Sequence, residues 1–294
     1  MKIKNSILFG ITATLLIISC KEESEPIIPE SKGCILSSLK QYESQTFQTL
    51  TGNLYKDSQL SYLNGNLSEV VNYTRGTKDL IRKIGYVDGR VKTISFMDAS
   101  NILKIRYTLN YQANSDLISS VDIRYEDISP AITETYIYTY NSDKKLTELK
   151  LYSNNNLMEK LLYFYSLDQG KEVVRVETYE NSTSDPNHHY LYSKDEYHYD
   201  DKKTGEIHPA FAINLYHQNR LDLLLPRSKN NIVRYYHYRN TAEVGQVPVL
   251  SMTNSVSFDR QFNYNAEGYP VRIVETRKSG NQLNYQLTYS NCDN

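Results

Sequence analysis

Tryptophan is absent from this chain, and cysteine, methionine, proline and glycine are scarce, at 3, 4, 8 and 12 residues. Three cysteines cannot build a dense disulfide framework, and no Cys pair, His-Glu-x-x-His or His-x-His motif fixes the geometry of a metal site. No Gly/Ser-rich or Pro-rich stretch interrupts the interior, so one domain is expected rather than linked modules. The catalytic signatures are missing as well: there is no Gly-x-Ser-x-Gly elbow, P-loop or dinucleotide fingerprint. No catalytic residue, metal or cofactor is therefore assigned, and the chain is not read as an enzyme. Basic charge is also in short supply. Without Lys2 and Lys4, 33 Lys+Arg become 31 against 34 Asp+Glu, a net charge of about −3. No basic stripe offsets phosphate, which excludes nucleic acid as a partner.

What the chain does contain begins with an address. Met1-Lys2-Ile3-Lys4 is a basic start, and Ile7 to Ile18 is an apolar core too short to span a bilayer. Ile17-Ile18-Ser19-Cys20 then resembles a bacterial lipoprotein signal. Residues 1–19 are expected to be cleaved, residues 20–33 to form a lipidated cysteine (Cys20) and flexible tether, and residues 34–294 to form the folded domain. The membrane is then a partner through the lipid anchor only, because each buried methylene contributes ~0.8 kcal/mol and a lipoprotein carries several chains. Lys21-Glu22-Glu23-Ser24-Glu25 resembles the short acidic signals that send such lipoproteins to the outer face of the outer membrane; a solvated tether facing the periplasm is the alternative. Cys34 opens the domain and Cys292 closes it, so in an exported protein either they pair and tie first strand to last, or both remain free thiols.

Aromatics are plentiful but one-sided in kind, with Tyr 27 and Phe 7, a bias that favours strands whose rings have a wet end. The mean hydropathy of −0.57 argues against a lipid-facing barrel. The chain end, Tyr289-Ser290-Asn291-Cys292-Asp293-Asn294, also lacks a terminal aromatic. Phe262-Asn263-Tyr264-Asn265-Ala266-Glu267-Gly268-Tyr269-Pro270-Val271-Arg272-Ile273 reads as strand, turn and returning strand, with Gly268 able to take positive φ. Tyr62-Leu63-Asn64-Gly65-Asn66-Leu67 and Tyr86-Val87-Asp88-Gly89-Arg90-Val91 repeat it with the strongest short hairpin signals. Tyr111 to Leu117 and Tyr140 to Leu146 are longer and lack glycine, so asparagine or aspartate is expected in the left-handed position. Leu67 to Val70, Val91 to Ile94 and Leu146 to Leu149 each step by three, which marks a β-bulge if the flanking strand pattern holds and a helical turn if it does not.

This repeat resembles the tyrosine-aspartate (YD) repeats of the RHS family, with Tyr86 to Ile94 the nearest copy. More of the chain, residues 55 to 290, resembles secreted Bacteroidetes lipoproteins of unknown function described as having a porin-like fold. That resemblance implies an outer-membrane, lipid-anchored protein, with the cell surface and the periplasmic face both left open. Periodicity gives the fold class independently: all-β, a single large antiparallel meander of β-hairpins, strongly curved or barrel-like, with one short helical or irregular cap segment. A continuous run of hairpins buries one face, whereas a lone hairpin is marginal in water.

The cap is assigned to residues 203–231. Tyr197-His198-Tyr199-Asp200-Asp201-Lys202-Lys203 begins like another repeat, but no return strand follows directly. Pro209 is expected to open a helix through Phe211, Leu215 and Tyr216, and Pro226 to stop it. Tyr199, Asp200, Asp201, Phe211, Tyr216, Lys229, Asn230 and Asn231 would then line a ligand cleft, or merely close a core. All six histidines (188, 189, 198, 208, 217 and 237) fall in this half. Glu148, Glu177 and Glu196 are the carboxylates open to a glycosidase reading, although sheet surfaces carry such residues ordinarily. The expected function is a non-catalytic binding or interaction module for a glycan or an envelope protein, with exposed tyrosines as flat platforms. A structural envelope protein and a glycan-processing enzyme are the alternatives.

Overall fold

The computed structural model describes residues 35–43, 53–128, 131–166, 172–181, 189–203 and 230–290. Among them every regular element is a strand, and no helix is present to cross a membrane. In chain order these are β1 (Ile35–Glu43), β2 (Asn53–Leu63), β3 (Asn66–Thr74), β4 (Thr77–Val87), β5 (Arg90–Asp98) and β6 (Leu103–Tyr111). Then follow β7 (Ile118–Tyr125), β8 (Ile132–Tyr140), β9 (Leu146–Ser153), β10 (Asn156–Tyr165), β11 (Val173–Asn181) and β12 (His189–Lys203). The last five are β13 (Asn230–Asn240), β14 (Leu250–Met252), β15 (Phe258–Tyr264), β16 (Pro270–Arg277) and β17 (Gln282–Ser290). Apart from β14 and β15, which both pair with β13, sequence neighbours pair antiparallel, and β1 pairs with both β2 and β17, so the wall closes on itself. β14 and β15 share one edge of β13 and count as one interrupted strand, which makes the structure a closed 16-strand antiparallel barrel. Closure removes the unpaired edges that an open sheet would expose.

The turns follow the residues available to them. Asn64-Gly65, Arg75-Gly76 and Asp88-Gly89 all take positive φ at both positions, the type I′ geometry that matches the right-handed twist of a hairpin. Asn114 occupies the left-handed position as expected, but in the 141–145 turn Lys144 does so at φ 60. The reason is local: Asn141 Oδ1 accepts from the N–H groups of Asp143 and Lys145, which fixes Asn141 as the turn base and leaves Lys144 to bend.

The three-residue steps are bulges, not helix. Ser68, Lys92, Ser119, Thr147, Val174, Val233, Val271 and, at the closure, Ser37 are each the extra residue opposite a pair that includes a tyrosine. The residues preceding them pair with Tyr62, Tyr86, Tyr111, Tyr140, Tyr165, Tyr199, Tyr264 and Tyr289. These tyrosines ring one end of the barrel. The repeat also survives the interruption after Lys203: the missing return strand is β13, where Ile232 pairs with Tyr199 in the same bulged register.

Seven of the phenols make one kind of bond. Tyr86 donates to the carbonyl of Leu67, the partner of Tyr62, and Tyr111 to Val91, the partner of Tyr86. Tyr140, Tyr165 and Tyr199 continue to Ile118, Leu146 and Val173, while Tyr289 donates to Pro270 and Tyr62 to Leu36, all at 2.7–2.9 Å. Each ring packs on apolar neighbours while its hydroxyl satisfies the carbonyl just before a bulge. Two residues inward along each strand lies a layer of aliphatic and aromatic side chains, pairing Leu60 with Val70, Ile84 with Ile94, Leu109 with Val121, Tyr138 with Leu149, Tyr163 with Val176, Tyr197 with Tyr235, Phe262 with Ile273 and Leu287 with Leu39.

Burial pushes the phenols of Tyr62, Tyr140 and Tyr165 up to about 12. In the unfolded chain they titrate near ~10, so the native state holds its protons longer. Their contribution to stability is therefore complete below pH ~10 and disappears as pH climbs from ~10 through ~12. Phenolate absorbance followed alongside circular dichroism checks this: the belt tyrosines are expected to ionise together with unfolding, not before it. A Tyr140→Phe variant loses one belt bond and is expected to lose about 1 kcal/mol in urea denaturation at neutral pH.

Candidate functional site

The belt breaks once. By the rule that the other seven obey, Tyr264 would donate to the carbonyl of Ile232, but its hydroxyl instead donates to Asp200 Oδ2 at 2.5 Å. Asp200 occupies the turn-base position that Asn141 and Asn265 hold in their own hairpins. Its Oδ1 accepts from the N–H groups of Lys202 and Asn231, as Asn265 Oδ1 accepts from Tyr269. Asn231 adds side-chain bonds to Asp200 Oδ2 at 3.2 Å and to the Tyr264 hydroxyl at 3.0 Å. The three residues thus close the base of the hairpin whose connection runs from 204 to 229. Burial first, then the hydrogen bond and charge of Asp200, hold the Tyr264 phenol well above its ordinary value.

Of the residues expected to line a cleft, the structure brings Asp200 and Asn231 together. Tyr199 is a belt member, and Asp201 faces solvent beside Lys202. Asn230 pairs with Lys203 across the strand ends. Phe211, Tyr216 and Lys229, with residues 204–229 of the expected cap, and Cys20, Cys34 and Cys292 lie outside the described residues, whereas the cap's two ends, Lys203 and Asn230–Asn231, belong to strands β12 and β13. Glu148, Glu177 and Glu196 are on the outer face, each in an ion pair, with Lys150, Arg175 and Lys194. His198 is also on that face, edge-on to the ring of Tyr236. Among the described residues no three His, Cys, Asp or Glu side chains gather as a metal group.

A second cluster lies deeper, one step beyond the apolar layer and away from the belt. There the inward positions change character over β12, β13, β15 and β16. Asp195 Oδ1 accepts from the Tyr235 hydroxyl and faces His237 Nδ1, both at 2.7 Å. A carboxylate only accepts, so the imidazole carries a hydrogen on Nδ1. Tyr235 packs on Phe258 with ring centroids 5.2 Å apart, and the Arg260 guanidinium lies 4.1 Å over the Phe258 ring. Arg260 donates to Glu275 Oε2 at 2.5 and 3.0 Å; both side chains are 3% exposed, and Arg277 reaches Glu275 Oε1. A buried charge persists only when paired and hydrogen-bonded, and here two guanidiniums share one carboxylate. The sequence does carry a signal for this cluster. Extending the period-2 alternation back from Tyr197 and Phe262, and on from Tyr235 and Ile273, lands on Asp195, Arg260, His237 and Glu275.

Beyond the inner layers, the outer face is charged. Ion pairs Lys83–Glu69, Lys104–Asp98, Arg106–Glu126 and Arg234–Asp259 stud it, and cations cover the aromatic rings that point outward, as Arg175 over Phe164 and Lys194 over Tyr238.

Changing Asp200 to Ala removes an acceptor from two backbone N–H groups, a phenol and a buried amide. The expected loss is about 2 kcal/mol in urea denaturation, with a smaller loss for Asp200→Asn, whose carbonyl still caps the backbone.

No protein-family model matches the chain, and no curated protein matches it. Solved structures similar to this chain include two from Bacteroides. One is a porin-like protein from Bacteroides vulgatus ATCC 8482, 12% identical with a TM-score of 0.50, the match covering 87% of this chain and 99% of that one. The other is a porin-like protein from Bacteroides uniformis ATCC 8492, 11% identical with a TM-score of 0.49, covering 87% and 96%. At 12% identity the first likeness speaks to fold alone.

Proposed function

We propose that the protein is a lipid-anchored barrel of the cell envelope that works as a non-catalytic binding module rather than as a pore. The observation that carries this reading is the polarity of the wall. A membrane-spanning barrel presents an apolar band to lipid and a polar lumen to water. Here the inward positions are apolar through the belt and the layer behind it, and the outward positions carry ion pairs. Charged groups on a lipid-facing surface cost ~2–4 kcal/mol each near the bilayer centre. The barrel therefore sits in water, and its hold on the membrane comes from acylated Cys20. The chain enters the wall at Ile35, at the belt end, so a tether leading to that residue leaves the opposite, polar mouth for a ligand.

A glycan is the favoured ligand, since polar layers over an apolar floor offer hydrogen bonds and ring surfaces together. An envelope protein is the second reading, favoured by one observation. The connection after β13 exposes Val244, Val247 and Val249 at the same mouth, with Met252 exposed in β14 beside them in sequence, and apolar side chains grouped on a surface mark contact sites.

A Cys20→Ser variant tests the anchoring. It is expected in the aqueous fraction while the unaltered protein stays with membranes, and neither form is expected to conduct ions in planar bilayers. Membrane retention of the variant, or conductance by either form, would overturn this reading. Presenting the purified protein to a glycan array tests binding, and turnover of a retained glycan would make the protein an enzyme.

A further inference from the structure

We infer that the hairpin tips carrying Leu63 and Val87 rest on a phospholipid surface, so that the barrel stands on the membrane by the rim at which its chain enters. This deepens the lipid-anchored reading and rests on it. Leu63 and Val87 are 66% and 55% exposed, and among the described residues they are the large hydrophobic side chains left open at the belt rim. Each directly follows a belt tyrosine. The residues that follow the other belt tyrosines are Gln112, Asn141, Ser166, Asp200, Asn265 and Ser290, all polar. Asn141, Asp200 and Asn265 are polar for a local reason, since their side chains accept from the N–H groups of their own turns. At the two remaining tips Asn64-Gly65 and Asp88-Gly89 make the turn by themselves, which leaves the residue before them without that duty. Neither turn nor core asks for an aliphatic residue there, and an apolar group held in water carries a cost that contact with lipid removes.

The wall sets this pair beside the anchor. Tyr62, one residue before Leu63, donates to the carbonyl of Leu36 at 2.7 Å, and Tyr86, one before Val87, donates to that of Leu67 at 2.9 Å. The bonds that build the belt therefore place chain entry, first tip and second tip in succession along one arc of the rim. Cys20 precedes Ile35 by 15 positions. A fully extended chain of that length spans about 50 Å at most. Seating the opposite rim instead, where Ile102 is exposed, would lead the tether past the length of a strand such as β2, whose 11 residues rise about 35 Å, and so use up most of its reach. With Cys20 acylated, the acyl chains hold the protein at the surface. At the effective concentration that a short tether creates, the two aliphatic contacts set which way it stands. Standing so, it turns the polar mouth away from the bilayer.

The chain lacks tryptophan, so a Trp placed in it reports without background. Full-length lipoprotein carrying Leu63→Trp, Val87→Trp or Ile102→Trp is reconstituted on vesicles of phosphatidylethanolamine and phosphatidylcholine, with or without bromine on the acyl chains near the headgroups. Fluorescence of the first two is expected to fall about twofold in the brominated vesicles, as for an apolar side chain at the headgroup boundary, while that of Ile102→Trp is unchanged. Because a Trp could itself draw a tip into lipid, a second measurement uses the unaltered protein. A photoactivatable acyl chain is expected to label peptides containing Leu63 and Val87, read by mass spectrometry, and to spare those containing Ile102. Unaltered protein that floats with the vesicles while its tips go unlabelled, as contact with a second copy or another protein would leave them, would overturn the seating and leave the anchor standing. Equal labelling of both rims would do the same. Unaltered protein that does not float would overturn anchor and seating together.

Discussion

The bond from a tyrosine hydroxyl to the carbonyl beside a bulge is the constraint on which this barrel depends. A bulge bends its strand and raises the local twist, which a wall needs in order to curve round and close, but it takes a residue out of the ladder. The phenol of the next hairpin supplies a hydrogen bond at that place, and its ring simultaneously covers the apolar layer behind it. Curvature and satisfaction of the backbone are therefore provided by one side chain, repeated around the wall. Phenylalanine could supply only the packing, and serine only the hydrogen bond. That dual demand explains why a chain with no tryptophan and few phenylalanines carries so many tyrosines.

The same constraint organises polarity. Once the belt and the layer behind it are apolar, hydrogen-bonding side chains facing inward are tolerated only further along the strands, where they meet one another or solvent. Arg260 with Glu275 and Asp195 with His237 occupy such positions. The outer face is free to be charged because the interior already buries one continuous apolar surface. In the hairpin with the longest connection, the turn base is an aspartate rather than an asparagine, and it draws Tyr264 out of the pattern. The departure follows from charge: an ionised acceptor holds a phenol more strongly than a neutral carbonyl does.

Much of this was legible in the sequence. Asn64-Gly65 and Asp88-Gly89 name their turns outright, and the three-residue steps after Leu67, Val91 and Leu146 foretold the bulges, because both are local consequences of residue type. Two things were not legible. Closure depends on Leu36 meeting Tyr289, a contact between ends of the domain that no local pattern announces. The resumption of the repeat at Ile232 is hidden by the length of chain between it and Tyr199; only the three-dimensional register shows that they are partners. Asp195 and His237 went unnoticed as a pair for a similar reason. Alternation assigns each to the inner face, but the register that sets them opposite one another belongs to β12 and β13 together. The repeat tyrosines turn inward, as cross-strand packing would have them, and the bulge carbonyls take their hydroxyls.

The seam between β1 and β17 joins residues about as far apart in the chain as the fold permits, with Ser37 bonded to Thr288 across 251 positions. That seam needs both ends of the domain, so it cannot form until the last strand is present. A message cut short before its final hairpin would yield a sheet with two raw borders, each displaying a row of unpaired amides and carbonyls to any similar chain nearby. An incomplete copy of this protein is thus a seed for aggregation.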